Sequence, residues 1–179
     1  MRILKENTTA MIIDVQKRLL PHMQNKELSK NLAILIEGLN GLDIPFIVSE
    51  QYTKGLGSTV DEIMGVLENF EIIEKMSFSC YDEPTLQEKI DYMNKEWIII
   101  AGIESHICVL QTVIDLIDNG YMPIVIEDCI SSRKENDKKI AIERMKKEGA
   151  VISTYESILF ELCRYAGNET FKTISKLVK

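Results

Sequence analysis

Residues Trp97-Ile98-Ile99-Ile100-Ala101-Gly102-Ile103 form an apolar run with no polar face. The run is far shorter than the roughly 20 residues a membrane helix needs. It suits a β-strand buried on both sides, which implies a parallel sheet covered by helices on each face. Glu104-Ser105-His106-Ile107-Cys108 follows at once, and Val109, Val113, Leu116 and Ile117 then recur at helical spacing. The stretch is therefore a buried strand, a tight turn and a helix start. It places one thiol, Cys108, in the first helical turn, with Ser105 as the expected N-cap.

The rest of the chain repeats this unit. Apolar strands are expected at Thr8–Asp14, Phe46–Ser49, Phe70–Glu74, Trp97–Ile103, Pro123–Glu127 and Ala150–Ser153. Helical patterns fall at about Leu28–Leu42, Thr85–Asn94, Asn136–Lys147, Ser157–Tyr165 and Glu169–Leu177, with a weak one at Thr59–Leu67. Glu50 to Gly57 reads as a loop, and residues Asp128 to Arg133 as a turn. The alternation predicts one α/β domain over residues 1–179, a doubly wound six-stranded parallel sheet ordered 3-2-1-4-5-6. Such sheets bind ligands beyond the carboxyl ends of their strands, where the winding reverses. In that order strands one and four meet at the switch point. Asp14 ends strand one, the Cys108 turn follows strand four, and Lys75 ends strand three on the same edge.

Composition excludes several functions. A net charge of −7 opposes nucleic acid and anionic membrane as partners. The N-terminal residues lack a signal-peptide core. Cys80, Cys108, Cys129 and Cys163 show no paired spacing, so they are expected to be reduced thiols in a cytoplasmic setting. Gly55-Leu56-Gly57 is too short, and follows the wrong strand, for a dinucleotide fingerprint.

The chemistry centres on Cys108. A thiol reacts as thiolate, and a helix N-terminus favours negative charge. His106 lies two residues before Cys108 and points elsewhere on a helix, and His22 sits in a loop. Asp14 is thus the better proton acceptor, with Lys75 as a positive neighbour. Taken alone, a cysteine behind a buried strand is more often a core residue. Cys80, close to Lys75, is a candidate second pocket thiol, with loop packing the favoured reading; Cys129 and Cys163 read as structural, and Lys138, Lys139, Lys146 and Lys147 as a solvated helix face.

Three segments change that balance: Ile12-Ile13-Asp14-Val15-Gln16, Glu74-Lys75-Met76-Ser77-Phe78-Ser79 and Ala101-Gly102-Ile103-Glu104-Ser105-His106-Ile107-Cys108-Val109. In that order, each at a strand end, they resemble the isochorismatase-like cysteine hydrolases, the group that includes nicotinamidase and N-carbamoylsarcosine amidase. The resemblance covers nearly the whole chain and is closest to the isochorismatase-domain-containing branch. It implies a catalytic triad of Asp14, Lys75 and Cys108. It further implies a cis peptide at Ile103–Glu104 that aims backbone N–H groups, those of Glu104 and Cys108, at an oxyanion. Gln16, Gln51, Tyr52 and Phe78 are candidate substrate contacts. Nicotinamidases carry Asp and His metal ligands after the second strand. Gln51, Tyr52 and Lys54 stand there instead, so no metal and no cofactor are expected. Isochorismatases proper lack the nucleophilic cysteine. Cys108 favours acyl transfer on a small amide or carbamoyl compound. The resemblance also implies a homo-oligomer joined through its terminal helices. A non-catalytic, partner-binding member with a vestigial pocket is the alternative.

Overall fold

The computed structural model describes residues 2–179. Its six strands are β1 Thr8–Ile13, β2 Phe46–Gln51, β3 Phe70–Lys75, β4 Trp97–Ile103, β5 Met122–Ser131 and β6 Val151–Ser153. They pair in parallel in the order β3-β2-β1-β4-β5-β6, the order expected from the two-sided apolar runs. Every residue of β1 and of β4 is buried. Burying each large aliphatic side chain contributes roughly 1.5–3 kcal/mol, so the two central strands anchor the domain.

Strand alternation divides the core into two layers. Ile12, Val48, Ile99 and Ile126 face α1 (Leu28–Asn40), α7 (Tyr155–Cys163) and α8 (Glu169–Leu177). Met11, Ile13, Ile47, Ile98, Ile100 and Val125 face α4 (Pro84–Met93), α5 (Leu110–Asp118) and α6 (Glu135–Glu148). Two short helices, α2 (Thr53–Leu56) and α3 (Asp61–Met64), lie between β2 and β3. The first occupies the segment expected to be only a loop. The second is the shorter form of the weak pattern at Thr59–Leu67.

β5 departs most from expectation. It does not end at Glu127 but runs on to Ser131. Its pairing with β4 slips between Ile100 and Gly102, from Ile100↔Val125 to Gly102↔Ile130. The bulge sends the Asp128 carbonyl to the amides of Asn25 and Asn31, and the Asp128 carboxylate caps α7 at the Tyr155 N–H. These partners lie far off in sequence, so the turn-like composition of residues 128–133 hid the strand. Lys138 was read as solvated, yet it is buried and pairs with Glu127 at 2.9 Å.

Gly102 is the one glycine on which the site depends. Its φ is +124°, a region closed to L side chains, and a Cβ there would run into the Ile13 backbone. Strands β1 and β4 therefore approach closely where Asp14 leaves the sheet. Gly102→Ala is expected to destabilise the fold by about 3 kcal/mol or more. A denaturant melt showing less than ~1 kcal/mol of loss would contradict this account of the switch point.

Candidate active site

Strand ends bring the three motif residues together. Asp14 follows β1 with φ of +52°, a left-handed conformation that Asp tolerates better than most residues. Its N–H donates to the Ser49 carbonyl at 3.1 Å, so β2 fixes the residue's position. Lys75 closes β3 and Cys108 lies in the turn after β4. Asp14 and Lys75 are 0% and 1% exposed, and Cys108 is 7% exposed. The cysteine is the part of the trio that reaches toward solvent.

Lys75 Nζ donates to Asp14 Oδ2 at 2.8 Å, Gln51 Oε1 at 2.7 Å, the Ser77 carbonyl at 3.1 Å and the Phe78 carbonyl at 3.0 Å. An ammonium has three protons, so these four acceptors fully engage it. Burial works against the Lys75 charge, but the negative charge of Asp14 outweighs it and the net direction is upward. The lysine is thus a fixed charge and not a mobile proton donor. Removing either partner of such a buried pair costs about 3–5 kcal/mol.

Burial pushes the Cys108 thiol up, Asp14 pushes it further, and Lys75 pulls it down without prevailing. The helix start was expected to pre-ionise the thiol. Instead burial and the adjacent Asp14 carboxylate favour the protonated thiol. Cys80 is fully buried and was read as loop packing. It donates to Ser49 Oγ at 3.5 Å, and burial, then the charge of Asp14, push it up to about 11. Burial likewise holds the Cys129 thiol well above its ordinary range.

The turn carrying Cys108 is a π turn, Ser105–Val109, in which Ile107 and Val109 N–H groups both donate to the Glu104 carbonyl. π turns recur at functional sites. The Ile103–Glu104 peptide is cis. Ser105 is not the N-cap. It sits inside the turn, preceded by extended Glu104, and its Oγ is a buried polar atom with no partner among the described residues. Two contacts pin the turn to the end of β5. Glu104 Oε2 accepts from Arg133 Nε at 2.8 Å, and His106 Nδ1 lies 2.9 Å from Ser132 Oγ. His106 therefore serves local structure.

The other four candidates divide. Gln16 is completely buried. Its Nε2 donates to the Gln51 and Gly57 carbonyls and its Oε1 accepts from the Gln51 N–H. Its amide staples the β2–α2 connection and leaves no group for substrate. Gln51 likewise joins Lys75 Nζ to the Met76 carbonyl. Tyr52 and Phe78 are 47% and 55% exposed. Tyr52 lines a cleft of about 310 Å³ with Lys54, Glu74, Lys75, Met76 and Glu83. Ser49 was missed altogether. Its only sequence signal is a small polar residue near the end of a buried strand.

The chain matches the Isochorismatase domain over residues 8–157, and it belongs to that family. It is similar to isochorismatase family protein 1B of Dictyostelium discoideum, with 35% identity over 99% of this chain and 89% of the relative. Isochorismatase domain-containing protein 2A of Mus musculus is 32% identical over 99% and 85% of the two chains. Among solved structures, the MAR1 ribonuclease of Caenorhabditis elegans superposes with a TM-score of 0.92 at 33% identity, covering 99% of this chain and 92% of that one. The YcaC gene product of Escherichia coli, described as an octameric hydrolase of unknown specificity, shares the fold. Its TM-score is 0.93 at 22% identity, over 98% and 88% of the two chains. No helix among the described residues is long and apolar enough to cross a membrane.

The buried thiols make stability fall at alkaline pH. Cys80 keeps its proton in the fold up to about 11, while an unfolded thiol loses it near 9.0. A raised folded value gives stability that is complete below the unfolded value and lost as pH climbs through the folded one. Each such thiol should remove about 1.4 kcal/mol per pH unit across that window. Urea midpoints at pH 8, 9, 10 and 11 test this. A flat profile above pH 9 would mean that the thiols ionise in the native state.

Proposed function

We propose that the protein is a metal-independent cysteine hydrolase that cleaves a small amide, carbamoyl or related compound through a Cys108 thioester. One observation carries this reading. A desolvated Lys75–Asp14 pair at 2.8 Å stands beside a thiol whose proton Asp14 and burial hold in place. A core cysteine needs no such neighbours, whereas a nucleophile that must shed its proton on demand does.

In the proposed cycle the Asp14 carboxylate takes the Cys108 proton as sulfur attacks the carbonyl carbon. The resulting oxyanion accepts hydrogen bonds from the Glu104 and Cys108 N–H groups. Collapse breaks the C–N bond, and the leaving amine takes the proton from Asp14. A water molecule then loses a proton to Asp14 and attacks the thioester. That proton returns to sulfur as the acid departs. Lys75 stabilises the carboxylate throughout without entering the proton path, because its own hydrogens are engaged. Tyr52 and Phe78 bound the substrate with apolar surface. The net charge of −7 turns away polyanions, which favours neutral or cationic small molecules. Four buried free thiols suit a reducing, cytoplasmic setting, and homo-oligomeric assembly belongs to the same proposal.

A screen of primary amides and carbamoyl compounds, read by amine release, tests the reading. On any substrate found, Cys108→Ser and Asp14→Asn should each lower kcat/KM by about 10³-fold or more. Intact-mass analysis should also catch an acyl adduct on Cys108. Undiminished hydrolysis by the Cys108→Ser protein would overturn the thioester route. Absence of turnover across the library together with no adduct would favour the non-catalytic member.

A further inference from the structure

Asp14 has two carboxylate oxygens, and the triad accounts for only one of them. Lys75 holds Oδ2, while Oδ1 accepts from Ser49 Oγ at 2.7 Å. Ser49 is completely buried near the end of β2, directly in register with Ile13 on β1. We propose that Ser49 is a positioning residue of the hydrolytic site, its hydroxyl fixing the Asp14 carboxylate for proton exchange with Cys108. This inference rests on the cysteine-hydrolase reading above.

The hydrogen-bond inventory gives the direction of the contact. A serine hydroxyl carries one proton and can accept others. Its two partners are a carboxylate oxygen and the Cys80 thiol, which lies 3.5 Å away. A carboxylate in its charged form cannot donate, so the Ser49 proton goes to Asp14. The Cys80 S–H then occupies a Ser49 lone pair. Cys80 is itself anchored, because its N–H donates to Thr112 Oγ1 at 2.9 Å. A buried chain therefore runs Cys80 to Ser49 to Asp14, with every proton pointing toward the carboxylate.

The groups that face Asp14 are few. Lys75 comes from β3, Cys80 from the loop behind it, Cys108 from the π turn after β4 and Ser49 from β2. Two donors on different oxygens define the plane of the carboxylate. Lys75 alone, holding one oxygen, leaves it free to swing about its Cβ–Cγ bond. Ser49 also stabilises the charged carboxylate that must receive the thiol proton. Losing that donor makes the carboxylate a poorer acceptor for the Cys108 proton.

The test is the pH profile of iodoacetamide alkylation at Cys108, followed by peptide mass, in wild type, Ser49→Ala and Ser49→Thr. Circular dichroism melts ensure that each protein is folded at every pH used. The acid limb of the profile should move to higher pH in Ser49→Ala. It should return to the wild-type position in Ser49→Thr, which restores the hydroxyl. A purely structural serine would lower the melting temperature without moving the limb. Coincident limbs in wild type and Ser49→Ala, or equal displacement in both variants, overturn the role of Ser49 alone. A wild type whose Cys108 reacts like an ordinary thiol overturns the hydrolase reading, and this role with it.

Discussion

The buried ion pair between Lys75 and Asp14 organises the active end of the sheet. Neither charge is solvated, so each depends on the other and on hydrogen bonds from its surroundings. That demand explains the neighbouring backbone. The loop after β3 folds back so that the Ser77 and Phe78 carbonyls reach the ammonium. The Gln51 side chain turns inward to supply a further acceptor, and Gln16 ties down the Gln51 backbone. A loop built to satisfy one ammonium is also the loop that frames the site. The ion pair's stability and the shape of the candidate site are therefore coupled here.

The same pair governs the thiol. A cysteine in a helix start is commonly activated by the positive end of the helix. Here burial and the Asp14 charge oppose that effect and push the thiol up. In the proposed cycle this places a carboxylate acceptor beside a thiol that keeps its proton until substrate arrives.

The fold was legible from local pattern because parallel strands buried on both faces are written as continuous apolar runs. Trp97–Ile103 and Thr8–Ile13 needed no distant information. The candidate site could be read only in part. Position at a strand end placed Asp14, Lys75 and Cys108 on one edge, and the three motifs supplied the roles. Gln16 and Gln51 show where this reasoning stops. Sequence position makes both candidate substrate contacts, yet their amides are engaged by backbone and by Lys75. Side-chain direction in a loop depends on which buried groups lack partners, and that is a property of the assembled site.

The amino-acid sequence by itself determined the six strands, their order around a switch point, the family and the residues that end the central strands. Apolar periodicity and strand-end motifs are local, so one pass along the chain recovers them. Tertiary structure alone decided that Ser49 meets Asp14 across 35 residues and Cys80 meets Ser49 across 31. It also decided that β5 continues past its bulge and that Lys138 is buried. These depend on register between strands and on hydrogen bonds that must close in a water-free interior. Partners for buried polar groups are chosen by proximity in space, and no local pattern records that proximity.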